Sequence, residues 1–174
     1  MLPKETILLP AYITHADCAR HEMGPNHPEC PERLGAINDL LLVKGLLDYM
    51  NTYDAPLATR EQLARAHTTS YVNELMDASP VEGYHRVDPD TEMNPFTVTA
   101  ALRAAGAAVQ ATDLVLSGEV PTAFCCVRPP GHHAERSAAM GFCFFNNVAV
   151  GIRHAMSEHG LERVALIDFD VHHG

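Results

Sequence analysis

Two short apolar stretches, TAFCCVR (residues 122–128) and RVALIDFDV (residues 163–171), constrain this chain most. Neither alternates apolar with polar residues, and each is too short to be a helix. Each is therefore expected as a strand buried on both faces. Between them, NNVAVGIRHAMSEHG reads as a helix that ends at Gly160. Strand, helix, strand is a βαβ unit, and it predicts a parallel sheet in an α/β fold. Open parallel sheets gather ligands beyond the carboxyl ends of their strands. Here the first stretch runs into the loop PPGHHAERSAAMG and the second into DFDVHHG.

The rest of the chain supplies layers for that sheet. A short strand is expected near Ile7 to Ile13, followed by a loop rich in His, Gly and Pro. Pro31 suits the first position of a helix reaching about Met50, with Leu34, Ile37, Leu41, Leu40 and Leu47 on one face. REQLARAHTTSYVNELMDA reads as two short helices broken near Thr68. VEGYHRVDPDTEMNP reads as a turn-rich loop. An Ala-rich helix from about Pro95 to Ser117 should stop at Gly118. No repeat or linker divides the 174 residues, so a single domain is expected.

Composition narrows the partners. The net charge is −10, which argues against a nucleic-acid surface, since such surfaces need clustered Lys and Arg. No stretch approaches the length of a membrane span, and the N-terminal apolar run is short for a signal peptide. A cytoplasmic protein without membrane contact is the expectation, and a homo-oligomer is compatible with it. None of the five cysteines forms a C-x-x-C pair, and Cys18 and Cys30 match no standard metal spacing with the nearby histidines.

The two strand ends carry the chemistry. In an extended segment alternate side chains share a face, so Asp168, Asp170 and His172 should point one way and Phe169, Val171 and His173 the other. A carboxylate and an imidazole two residues apart can reach one cation, and that donor set suits zinc or iron(II) better than calcium or magnesium. At least one further ligand must come from elsewhere. On the proline-stiffened turn, His132 and His133 can both project into a cleft, where they suit acid and base work beside a metal. Asp168 is available to orient one of them. Phe142, after Gly141, can be core or cleft wall. The bare residues thus point to a metal-dependent hydrolase.

At this level of detail the chain resembles a known family. RPPGHHAERSAAMGFCFFNNVAVG and RVALIDFDVHHG are similar to the signature blocks of the zinc-dependent histone deacetylase and acetylpolyamine amidohydrolase family, in its class II-like bacterial form. HPECPERL, RAHTTSYVNEL, DPDTEMNP and AALRAAGAAV resemble further family segments in the same order. The resemblance implies the three-layer arginase-deacetylase α/β fold with a central parallel sheet. It implies Asp170 and His172 as two of three zinc ligands, His133 as general base, His132 as its electrostatic or acid partner, and Asp168 as the carboxylate paired with His132. Backbone carbonyls around Asp168, Asp170 and His172 resemble a structural potassium site. Gly141 and Phe142 match the wall of a narrow acyl-lysine tunnel, and Asp90 matches a rim residue that holds the substrate backbone. The loop from Asp17 to Pro31 is expected to shape the rim.

The family's third zinc ligand, an Asp, and the Tyr that polarises the substrate carbonyl match no residue up to Gly174. The expectation is therefore the N-terminal part of a longer domain, or a truncated product. The complete domain is expected to hydrolyse the acetamide of acetyl-lysine or of an acetylated polyamine, both cationic substrates suited to an acidic protein. A non-catalytic binding protein is the alternative of a different class. A binuclear manganese ureohydrolase fits less well, because it needs more carboxylates than DFDVHHG offers.

Overall fold

A computed structural model describes residues 8–174; Ile7, where the first strand was expected to begin, lies outside them. The sheet has three parallel strands in the order β2-β1-β5, with β1 at Ala11–Thr14, β2 at Asn51–Asp54 and β5 at Ala123–Cys125. The central strand sets Ala11 opposite Asn51 on one side and opposite Ala123 on the other. Strand alternation then sorts the core. Ala11 and Ile13 pack with Ala107 and Leu114 of helix α4 (Thr97–Leu116), whereas Tyr12 packs with Leu34 of helix α1 (Glu32–Val43) on the opposite face. Helix, sheet, helix makes the three layers.

A larger apolar cluster lies beyond α4. It joins helices α2 (Arg60–Ala64), α3 (Thr69–Asp77) and α5 (Asn147–Glu158) through Leu63, Val72, Leu75, Phe144, Phe145 and Val150. Each such large side chain, fully removed from water, contributes about 1.5–3 kcal/mol. The helix boundaries follow local chemistry. Thr59 caps α2 in a capping box with Gln62, Thr68 caps α3, and Asn146 caps α5. Gly118 and Gly160 take φ of +77° and +69° just past α4 and α5, as helix-stop residues do. No described helix is long and apolar enough to cross a membrane.

Four expectations differ from the structure. The first helix stops at Val43 rather than about Met50, because the chain turns at Gly45 and enters β2, a strand the apolar periodicity concealed; Leu40 faces solvent. VEGYHRVDPDTEMNP is more than a loop: β3 (His85–Asp88) and β4 (Thr91–Met93) pair antiparallel across Pro89 and Asp90. β5 is not buried on both faces; it pairs only with β1, and Phe124 is 42% exposed. RVALIDFDV forms no ladder, and Ile167, Phe169 and Val171 are exposed. A strand needs a neighbour to satisfy its backbone, and among the described residues this segment has none.

Candidate active site

Residues 161–171 line one apolar hollow beside Ala123 of β5 and a second beside Pro130 and His132, at the ends of the two apolar stretches. There the loop 129–146 is fastened from beneath. Arg128, fully buried, donates from Nε and Nη2 to the two oxygens of Glu29 at 2.6 and 2.5 Å, and from Nη1 to the carbonyls of Cys18 and His21. His67 bridges both arms of the loop: its Nδ1 lies 2.9 Å from the Glu135 carbonyl, and its Nε2 accepts from the Asn146 N–H at 2.9 Å. A carbonyl can only accept, so Nδ1 carries the proton and His67 is neutral. Burial pushes its pKa below the ordinary value, which the backbone partners Glu135 and Arg136 only partly oppose. Tyr71 Oη donates to the Phe144 carbonyl at 2.6 Å. HTTSY, read from the sequence as a break between two helices within a family-like segment, is thus the anchor of the loop.

That loop presents His132 and His133 side by side, with ring centroids 4.1 Å apart. Asp168 reaches His132 from the C-terminal segment, its Oδ2 3.0 Å from Nδ1. Asp168 is held in turn by its own neighbours: Oδ1 accepts from the Asp170 N–H at 3.1 Å and Oδ2 from the Gly174 N–H at 2.8 Å. Asp170 Oδ1 repeats the pattern with the His172 N–H at 2.8 Å. Such side-chain turns replace the missing ladder. The Gly174 N–H above all, then His132, keep the Asp168 carboxyl at about 2. It is therefore an anion across the physiological range. An ionised carboxylate only accepts, so His132 Nδ1 bears the proton and the ring is held in that orientation.

Seven of the eight residues singled out from the sequence line one cleft of about 710 Å3: Asp90, His132, His133, Gly141, Phe142, Asp170 and His172. Asp168 stands behind them, on the far side of His132. Asp170 and His172 line the same cleft although the expected strand is absent, while Asp168 lies apart from it. Gly141 has φ +55°, and a Cβ there would lie 2.7 Å from the His133 ring, so only glycine lets the wall approach that histidine. Phe142 also has positive φ, and its N–H donates to Thr91 Oγ1 at 2.9 Å, which donates on to Asp90 Oδ1.

His27 and Glu29 belong to the loop 17–31 that was expected to shape the rim, whereas Arg33 and Asp88 were not singled out. His27 packs edge-on against Phe142 at 4.7 Å and lies 3.3 Å from the Asp90 carbonyl through Nε2, tying the rim loop to the wall. Glu29, Arg33 and Asp88 also face the cleft, and Arg33 Nη2 donates to the Val127 carbonyl at 2.7 Å. Only the three-dimensional closure of the loop reveals them. A thiolate nucleophile is disfavoured, because burial pushes the Cys125 and Cys143 thiols up to about 11.

The donors Asp170 and His172 fit zinc as two ligands of a set that needs another. Among the described residues the one His/Cys/Asp/Glu trio with ligating atoms within 4.8 Å of one another is elsewhere, at Asp113, His154 and His159.

Three α/β layers with a tandem-histidine loop and an Asp-x-His pair converging on one cleft define the histone deacetylase class, and the chain belongs to the histone deacetylase family, whose domain model matches residues 27–174. It is 40% identical over 173 residues to "Polyamine deacetylase HDAC10" of Mus musculus, covering 94% of this chain and 26% of that protein. It is 42% identical over 148 residues to the "Histone deacetylase-like amidohydrolase" of Pseudomonas aeruginosa, covering 85% of this chain and 39% of that one. The crystal structure of the HDA15 HD domain superposes with a TM-score of 0.82 at 32% identity, over 87% of this chain and 44% of that chain. The chain spans between 24% and 54% of the length of these and similar curated relatives.

Proposed function

We propose that this chain forms the acid-base half of a deacetylase active site, and that the complete protein hydrolyses the acetamide of acetyl-lysine or of an acetylated polyamine. The observation that carries the reading is the convergence of the Asp168–His132 pair, His133, Asp170 and His172 on a cleft walled by Gly141 and Phe142. His133 takes a proton from the attacking water. His132, oriented at Nδ1 by Asp168, stabilises the negative charge that develops and supplies a proton toward the leaving amine. Gly141 and Phe142 confine the aliphatic stem of the substrate, and Asp90 holds its cationic or peptide part at the rim. Asp170 and His172, with a further donor, hold zinc, which when bound would polarise the acetyl carbonyl and acidify a water. A structural potassium at the carbonyls around Asp168, Asp170 and His172 belongs to the same proposal.

We further propose that additional strands of the family's domain add at the open side of β5, beside two apolar hollows, one lined by Ala123, Ile152, Ala155 and Val164 and the other by Val148, Leu166 and Phe169. Covering them would bury the apolar side chains that residues 164–171 leave in water.

The test is His133→Ala in the complete protein, assayed by acetate release from an acetylated lysine peptide and, side by side, from an N-acetylated polyamine. Loss of a general base costs about 10²–10⁴ in turnover. Turnover retained with both substrates would sink the assignment, and the ratio of the two wild-type rates ranks the substrates.

A further inference from the structure

A cluster of potential ligands lies between α4 and α5 and belongs to no part of the cleft. Asp113 Oδ1 on α4 is 2.7 Å from Nε2 of His154 on α5 and 2.7 Å from Nε2 of His159, just past the end of α5. The two rings approach at 70° with centroids 5.7 Å apart, so their Nε2 atoms converge on one oxygen from different planes. All three ligating atoms lie within 4.8 Å of one another. His154 is buried, while the Asp113 side chain is half exposed, so the trio is anchored on one side and open to water on the other.

We infer that Asp113, His154 and His159 form a second cation site, for a borderline divalent ion of the zinc class, that pins the end of α5 to α4. Two imidazole nitrogens and one carboxylate oxygen are the donors such ions take, and the open side leaves room for water to complete the shell. The inference stands apart from the deacetylase reading, since none of the three residues touches the cleft.

One neighbour opposes the ion. Arg65 Nη1 donates to His154 Nδ1 at 3.0 Å. A guanidinium has no lone pair to offer, so Nδ1 accepts and the proton sits on Nε2, where the metal has to bind. Binding therefore requires His154 to exchange tautomers and Arg65 to turn away. Arg65 already has somewhere to go: its Nη2 lies 2.8 Å from Glu158 and 3.2 Å from Glu61. Arg65 acts as a latch that competes with the cation, and its loss should tighten binding.

The experiment uses the chain carrying Asp170→Ala and His172→Ala, which removes the other donor pair, titrated with zinc by calorimetry and by thermal unfolding. One zinc per chain and a zinc-dependent rise in Tm are expected. His159→Ala and Asp113→Asn, both at water-accessible positions, should weaken binding by more than about tenfold, since even outer partners of a metal cost that much. Arg65→Gln should strengthen it. If the background protein binds no zinc, if His159→Ala binds as tightly as its parent, or if Arg65→Gln weakens binding, the inference is overturned.

Discussion

Residues 129–146 and residues 161–174 each bring ionisable groups to the same cleft, and they are held there by different means. The loop is fastened by buried partners: the Arg128–Glu29 pair below, His67 across its two arms, and Tyr71 on the Phe144 carbonyl. The C-terminal segment is held by short-range turns of Asp168 and Asp170 and by one bridge to His132. Its apolar side chains point into water: Ile167 is 82% and Phe169 93% exposed. The difference separates position from stability. Local hydrogen bonding suffices to aim a carboxylate at a histidine, but only packing makes an element resist unfolding.

The contrast is broken most directly at the base of the loop. Arg128→Leu leaves the Glu29 carboxylate buried without its partner, and breaking such a pair costs about 3–5 kcal/mol. Urea unfolding of the 174-residue chain reads this, and a loss below about 1 kcal/mol would mean that the loop is not fastened there.

Acid should separate the two regions next. His21 is buried and neutral, its pKa lowered from 6.5 to about 3 by burial first and by the Arg128 charge second, and His67 is lowered in the same direction by burial. Below 6.5 the unfolded chain binds protons that the folded chain refuses, so stability falls as pH drops from 6.5 toward 3. Asp168 works in a lower window. Its contribution is complete above 3.8 and is lost only as pH falls toward about 2. Denaturant midpoints should therefore decline through mildly acidic pH while the Asp168 carboxyl carbon, followed by NMR, stays at its ionised shift. A stability flat across that range would remove the distinction.

Two smaller changes sharpen it. Tyr71→Phe deletes the hydroxyl that donates to Phe144 while leaving the ring in the core, and should cost about 1 kcal/mol. Phe169→Ser removes a large side chain that touches little, and should shift the urea midpoint by less than about 0.5 kcal/mol. Equal losses at both positions would show that the C-terminal segment is packed after all.

Much of this was legible in the chain. Helix stops at Gly118 and Gly160, the break at Thr68 and the histidine and Asp-x-His clusters follow from turn chemistry and motif spacing, because those signals act within a few residues, whereas Asp90, Gly141 and the wall role of Phe142 were legible only through the family resemblance; the sheet is parallel as expected, but its strands are β2, β1 and β5 rather than the segment 163–171. β2 and the β3–β4 hairpin escaped because short strands in polar sequence owe their existence to a partner: β2 exists because β1 lies beside it. The loop role of His67 and the Asp113–His154–His159 trio escaped for the same reason at the level of side chains, since their partners are brought near only by folding.

By itself, the sequence determined the chemistry: tandem histidines after one apolar stretch, Asp-x-Asp-x-His after another, and a glycine where a wall must approach. Tertiary structure alone decided which groups pair. His67 closes the loop, Arg128 pairs with Glu29 beneath it, and RVALIDFDV stays out of the sheet. The physical reason is range. Conformational preference and side-chain periodicity are properties of neighbouring residues, whereas a hydrogen bond across 36 residues or a strand ladder exists only once the chain has bought that closeness by burying its core.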